Sequence, residues 1–589
     1  MMNPWSWVLG GLLAYWLALS LLRSRDWFPE FIGVTGPILT VHTKRGRDLL
    51  DRLAGPRRLW RVWANMGLGF ALVILVGSFL LLLANAVQVL RNPPQPTAVN
   101  QPQNFLVIPG VNDFLPLAVA PEILFGLFIG MLVHEGGHGI LSRVEGIDVE
   151  SMGVVLLAIL PIGAFVEPEE ESVEAADRGS QARMFAAGVT NNFLLTAIAF
   201  AILFGPVVGS IGVAPGAAVG GVFPGSPAAQ AGVDAGDRIV AVGEQPIEQN
   251  SDLEETLVAS GADRVTLTLG DGTETSVRRS VLVTGVADDS PFASLGTNTT
   301  ITAVNGTAVQ TEAALRAAVA NETVVTLDTA GGDRVTGPAG ALVTVVPDGP
   351  AATDGLPTET PIVVTEIGGQ RVASQTQLNA VLDDFDAGET VSVTTYQDGA
   401  AETNEVELGA QDGTSYLGVQ VYRGISGLVV SDFGTTLYPA QTYLDMAGGE
   451  ATGPGIVGFL RGIGVSLLLP LIGSVGLTGL EYNFAGFVGW NLGFFTVEGP
   501  LAPLGGGVFV LANVLFWTGW INLNLGFFNC IPAFPLDGGH LLRMMAEAVV
   551  SRLPIGDRQI AVRAITTSVG LTMLLALLLM LFGPQLLGG

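Results

Sequence analysis

The chain has 589 residues, enough for several domains, and 49% of them are hydrophobic, with a mean hydropathy of +0.51 that points to a membrane protein. Its formal net charge is −27 and Lys44 is the single lysine. Such acidity repels phosphates and excludes nucleic acid as a partner. Cys530 is the only cysteine, so no intrachain disulfide can form.

The charge is concentrated in one place. Between Ile211 and Glu450 there are 32 acidic residues and 8 arginines, which puts −24 of the total in that segment. The flanking parts are nearly neutral and apolar. The pattern is halophile-like: in high salt an acidic surface stays hydrated and its self-repulsion is screened.

In chain order, Trp5–Leu22 is the first apolar run. It is too long for a signal-peptide core and lacks a small-residue cleavage site, so it predicts a membrane anchor. Arg23 to Arg61 is rich in basic residues, which marks a cytoplasmic loop by the positive-inside rule. Asn65–Leu90, Pro121–Arg143 and Met184–Gly209 follow as runs near the ~20-residue spanning length. Counting crossings puts the acidic segment outside the cell membrane, and the multi-pass core within it.

The Pro121–Arg143 run carries HEGGH. Residues four apart share a helix face, so His134 and His138 can reach one metal, with Glu135 beside them. HExxH suits zinc: two imidazoles bind and the glutamate takes a proton from the bound water. Ionisable groups at bilayer depth are costly and mark function. Gly136 and Gly137 each weaken a helix by about 0.8–1 kcal/mol but let a substrate backbone or another helix approach. Arg143 marks the cytoplasmic boundary, which places His138 and His134 about 8 and 13 Å deep.

The acidic insert holds a threefold pattern starting at Gly221, Gly285 and Val345. Each copy has an apolar strand, a Ser/Gly-Pro turn, a Val/Ile-rich strand, a short amphipathic helix (SDLEETL, TEAALRAAV, SQTQLNAVL) and a β-rich stretch. A spacing near 60 residues fits a compact α+β module.

After the insert, Gly453–Gly473 is a further candidate span despite Arg461. Because its lone crossing breaks the parity, it is either re-entrant or joined by a crossing at Val475–Phe495. Val508–Phe528 and Ala564–Phe582 are the last spans, with Arg543, Arg552, Arg558 and Arg563 marking a cytoplasmic loop between them. Zinc wants a third protein ligand and a fourth position for water. Asp537, after Pro532 and Pro535 and before Gly538 and Gly539, lies in a run that cannot continue a helix and is the leading candidate; His540 competes.

Together HEGGH at 134–138 and NCIPAFPLDGG at 529–539 resemble the site-2 protease family of intramembrane zinc metalloproteases, with Asn529, Pro532, Asp537 and Gly538 on its second motif. AGVTNNF at 187–193 is similar to another family stretch and places its asparagine at Asn192. MGVVLLAILPIGAFVEP (152–168) resembles the family's re-entrant β-hairpin, whose edge could take an unwound substrate strand. The first insert copy, with SPAAQAGVDAGDRIVAVGEQPI, looks like a PDZ domain; the second and third are degenerate.

The expected fold is therefore a polytopic α-helical membrane protein with a soluble α+β insert of PDZ-like modules. The domains expected are 1–120 (N-terminal spans and basic loop), 121–210 (catalytic core, HExxH half), 211–284 (module 1), 285–341 (module 2), 342–450 (module 3 and linker) and 451–589 (catalytic core, Asn-Pro-Asp-Gly half, and last span). The resemblance implies Zn2+ on His134, His138 and Asp537, Glu135 as general base, and Asn192 supporting the substrate or the oxyanion. It also implies single-span membrane substrates within the lipid bilayer, an upstream site-1-type protease, and peptide termini at the PDZ-like modules. The alternatives are a membrane zinc-binding or transport protein and an inactive PDZ scaffold.

Overall fold

The computed structural model of the chain describes residues 4–25, 27–29, 31–94, 104, 107–112, 114–158, 160–358, 360–397, 399–411, 414–449, 453–475, 480–554 and 556–587. They form two compact units. One comprises Met1–Ile211, Tyr443–Val488 and Val497–Gly589; the other comprises Gly212–Thr442 and Gly489–Thr496.

In the first unit, helix α1 (Pro4–Ser24) covers the expected anchor. The basic stretch after it is not all loop. Strands β1 (Ile32–Thr35) and β2 (Ile38–His42) form a hairpin that turns at Gly36, where φ is +60°. Helices α2 (Arg57–Arg91) and α3 (Ala120–Glu145) follow. The hairpin expected at 152–168 is formed by β3 (Val149–Leu157) and β4 (Leu160–Pro168). Because β2 pairs with β3, a four-stranded antiparallel sheet results in the order β1–β2–β3–β4, and β4 is its edge beside α3. Helix α4 (Arg178–Ile202) starts on Asp177, whose side chain accepts the amides of Gly179 and Ser180.

The second unit repeats one pattern three times. Module 1 has strands β5 (Ala217–Val222) and β6 (Arg238–Val242), helix α5 (Asn250–Ser260), and strands β7 (Arg264–Leu269) and β8 (Glu274–Arg278). Module 2 has β9 (Val281–Val286), β10 (Thr300–Val304), α6 (Glu312–Val319), β11 (Val324–Thr329) and β12 (Arg334–Pro338). Module 3 has β13 (Ala341–Val345), β14 (Ile362–Ile367), α7 (Gln375–Leu382), β15 (Thr390–Gln397) and β16 (Ala400–Glu407). Alternation in RVTLTL buries Val265, Leu267 and Leu269 on one face of β7, and VVTLDT buries Val325 and Leu327 of β11 in the same way.

The residues after 421 correct the expectation of a linker there. Strand β17 (Val419–Val421) completes the sheet of module 3, β18 (Leu428–Ser431) that of module 2, and β19 (Thr435–Leu437) that of module 1. Module 3 is thus nested within module 2, and module 2 within module 1. Each closing segment adds an apolar side chain to its module's core: Leu417, Leu428 and Phe433. Between β18 and β19, Asp432 takes the buried Arg279 guanidinium at 3.1 Å on its Nε, and the Ser431 hydroxyl accepts the amides of Gly434 and Thr435 at 3.2 Å.

In the C-terminal part of the first unit, α8 (Gly455–Leu468) has 14 residues, about 21 Å, short of the ~30 Å hydrocarbon core. No membrane-length helix follows among the described residues of Val475–Phe495; residues 476–479 lie outside them. Helices α9 (Gly507–Asn529), α10 (Asp537–Val550) and α11 (Arg558–Leu587) end the chain. Among the described residues five helices are long and apolar enough to cross a membrane: Arg57–Arg91, Leu117–Glu145, Arg178–Ser210, Gly507–Asn529 and Arg558–Leu587. The protein is a membrane protein.

Helices α3, α4 and α9 pack on one another, and small residues let them approach. A Cβ on Gly130 would lie 2.8 Å from Asn522 Oδ1, and one on Gly137 2.9 Å from the Ala187 carbonyl oxygen. Glu145, its side chain 2% exposed, binds Arg183 at 2.8 Å and Arg61 at 3.3 Å, tying together the ends of α3, α4 and α2.

Glu312, half-buried at the start of α6, faces Arg316 at 2.6 Å, with Glu254 and Asp432 nearby. Burial pushes its carboxyl up to about 7, Asp432 and Glu254 add to the rise, and Arg316 opposes it. The folded state therefore keeps a proton that the unfolded chain has lost. This contribution is full below pH about 4.5 and is lost as pH rises towards 7. Glu312→Gln should remove that slope: relative to the native chain, its unfolding midpoint should rise by about 2–4 °C between pH 5 and pH 8, for roughly 1 kcal/mol after solvent screening. Thermal unfolding at the two pH values checks this.

Candidate metal centre

Helix α3 runs unbroken through HEGGH, so His134 and His138 stand one turn apart on its buried face, 5% and 8% exposed. Gly137 takes the role of close helix contact, against Asn191 and Ala187 of α4, whereas a Cβ on Gly136 would meet nothing within 4 Å.

Asp537 arrives from the other end of the chain. After Asn529 the backbone leaves α9 and folds back on itself, and Asp537 opens α10. The turn is too tight for any side chain at its crossing points: a Cβ on Gly538 would lie 2.5 Å from the Cys530 carbonyl oxygen, and one on Gly539 2.8 Å from the Ala533 carbonyl carbon. The Asp537 carboxylate is thereby brought to the histidines. Its Oδ2 lies 3.1 Å from His134 Nε2 and 3.3 Å from His138 Nε2, and the two Nε2 atoms are 3.2 Å apart.

The chemistry of these donors calls for a cation. His138 Nδ1 lies 2.8 Å from the Met184 carbonyl oxygen, which only accepts, so Nδ1 carries the proton and a neutral ring leaves Nε2 bare. A bare lone pair, a second imidazole nitrogen and a carboxylate oxygen then face one another in a buried space. A tetrahedral ion with bonds of about 2.0–2.1 Å has ligand–ligand edges of about 3.3–3.4 Å, close to the three separations seen. Among the described residues this is the group of His, Cys, Asp and Glu side chains whose donor atoms converge on one point.

Glu135 stands beside the donors, and its Oε2 accepts the Val166 amide of β4 at 2.9 Å. His540 is not part of the centre: it stacks on Phe185 with ring centroids 4.2 Å apart. Asn529 donates to the Leu525 carbonyl of its own helix at 3.0 Å. Asn192, expected at the substrate or oxyanion, reaches His134 Nδ1 at 3.2 Å.

Sequence reasoning missed Gly188. A Cβ there would lie 2.6 Å from His138 Nε2 and 2.8 Å from His134 Cε1, so only a glycine lets both rings lie against α4. The one available signal is its place inside AGVTNNF, one helical turn before Asn192.

Two histidines from one membrane-length helix and a carboxylate from the start of α10 thus converge on one point in a membrane protein. Residues 122–577 match the model of peptidase family M50, and the chain belongs to that family, the site-2 protease family of its motifs. It is similar to an uncharacterized protein of Methanocaldococcus jannaschii, 29% identical over 182 residues, which is 31% of this chain and 46% of that protein. It is similar also to the membrane-bound transcription factor site-2 protease homolog of Arabidopsis thaliana, at 28% over 152 residues (25% and 28% of the two chains). A Mesorhizobium japonicum protein named for zinc metalloprotease activity is 28% identical over 201 residues (27% and 54%). The chain spans about half or less of the length of these curated relatives. A further 14% likeness in coverage is to the PDZ domain of the SdrC-like protein of Listeria monocytogenes, 90% of which is covered, at 24% identity and a TM-score of 0.13.

Gly188→Ala should displace both rings and weaken metal binding at least tenfold, whereas Gly205→Ala, whose Cβ would meet nothing within 4 Å, should leave it unchanged. Elemental analysis of the two purified variants beside the native chain tests this.

Proposed function

We propose that the chain is a zinc endopeptidase that cuts a peptide bond within a transmembrane helix of a membrane-anchored regulatory protein. The observation that carries this reading is the convergence of His134, His138 and Asp537 on one point, with Glu135 next to His134 on the same apolar helix and fixed by the Val166 amide. His134, His138 and Asp537 would hold zinc, which polarises a carbonyl and lowers the pKa of water towards about 7. Glu135, held by the Val166 amide, takes the proton of the attacking water and passes it to the leaving amine. A substrate helix hides its carbonyls in hydrogen bonds and must unwind first. The outer edge of β4 beyond Val166, whose own amide is taken by Glu135, is where an unwound strand would pair.

The short α8 supports a simple topology. With the five membrane-length helices and the anchor expected at α1 as crossings, the basic residues at 23–61, Arg143 and the arginines at 543–563 all fall on the cytoplasmic side of a cell membrane. The centre lies nearer that side, and the acidic insert outside. The insert then filters substrates by size, or by a terminus freed by an upstream site-1-type protease and held at a PDZ-like module.

Glu135→Gln should keep about one zinc per chain and lower cleavage of a single-span substrate by about 10²–10⁴-fold. Full activity in that variant would exclude the general-base role. Replacing residues 212–442 by a short linker should admit substrates with intact outer domains. Unchanged selectivity in a cleavage assay would refute the filter.

A further inference from the structure

Both candidate metal histidines lean on a single face of α4. Met184, Gly188 and Asn192 are spaced four apart and so share that face. The Met184 carbonyl meets His138 Nδ1 at 2.8 Å, Gly188 leaves the space both rings occupy, and the Asn192 amide meets His134 Nδ1 at 3.2 Å. Asn192 is fully buried.

We propose that Asn192 is a positioning residue for the metal centre: its amide oxygen accepts the Nδ1–H of His134 and so fixes that ring with a bare Nε2 facing Asp537 and His138. A neutral imidazole carries one proton, so a ring that offers Nε2 to a cation has its N–H at Nδ1 and needs an acceptor there. Asn192 is the side chain at that atom. As the side chain is placed, its Nδ2 is the atom 3.2 Å from Nδ1, which sets N–H against N–H and leaves Oδ1 buried with no partner. Half a turn of the amide about its last torsion puts the oxygen on the Nδ1–H without moving the backbone. The role matches the one the Met184 carbonyl already has for His138, so α4 sets the orientation of both rings. It differs from the oxyanion role expected from sequence, in which the same amide would donate to substrate.

This inference rests on the metal reading of the site, and the experiment separates the two. Zinc affinity is measured by competition with a chromophoric chelator for the native chain, Asn192→Leu, Asn192→Asp, His134→Ala and the His134→Ala/Asn192→Leu double variant. A native chain that binds no zinc fails the metal reading itself. Given zinc binding, Asn192→Leu, similar in shape but unable to accept, should bind about 10–100-fold more weakly. Asn192→Asp, which keeps an acceptor, should stay within a few-fold of native. Without His134, Asn192→Leu should cause no further loss, because Asn192 acts through that ring. Native zinc affinity in Asn192→Leu, an aspartate variant as weak as the leucine one, or an undiminished leucine effect without His134 would each overturn the proposal. Should the leucine variant not fold, Asn192→Ala takes its place in the same comparison.

Discussion

Two imidazole nitrogens and a carboxylate oxygen held within 3.3 Å of one another, away from water, are the constraint on which the membrane unit depends. Buried donors without protons between them repel, and burying charge without compensation is costly. A cation turns that repulsion into binding, and the surrounding fold must then hold each donor still. Helix α3 supplies the histidines, α4 their backing, and the turn between α9 and α10 the carboxylate. The close packing of α3, α4 and α9 through glycines serves the same arrangement: helices held apart by larger side chains would not bring the three donor atoms within 3.3 Å of one another.

The parts of the centre legible in the sequence are those encoded by local spacing. HEGGH specifies one helical face, and two prolines and two glycines around Asp537 specify a broken backbone, whatever packs against them. Gly188 was illegible for the opposite reason. A glycine's steric role depends on what approaches it, and here the atoms at 2.6–2.9 Å belong to residues on another helix. The Asn192 contact is of the same kind. The motif marked the residue, but only the antiparallel packing of α3 on α4 shows which atom it meets.

Within the fold, long periodic elements were legible and short ones were not. The apolar runs became α2, α3, α4, α9 and α11 with ends shifted by several residues. Strands β1 and β2, of four and five residues, are hidden in a stretch dominated by basic charge, although the pairing of β2 with β3 leaves β4 as the edge beside α3. The Gly453–Gly473 run is long enough to cross, but its main helix stops at Leu468 after 14 residues. Hydropathy measures how apolar a run is and says nothing of where its helix stops.

The nested insert shows why the closing strands escaped detection and how they are nonetheless held. Strands β17, β18 and β19 have three or four residues each, too few for alternation to stand out, and each pairs with a strand far back in the sequence. So short a ladder adds little stability alone. Anchorage comes from Leu417, Leu428 and Phe433, each buried in its module's core, and from the Arg279–Asp432 pair, whose members are 153 residues apart and almost fully buried. Closing so long a loop from an unfolded chain is entropically costly, but the cost grows only with the logarithm of its flexible length. Module 3 completes its own sheet by Val421, module 2 by Ser431 and module 1 by Leu437. Once the innermost module is folded, the chain ends that close the next one are already near each other. Each closure thereby shortens the loop that remains, so a topology of high overall contact order can form through a series of short ones.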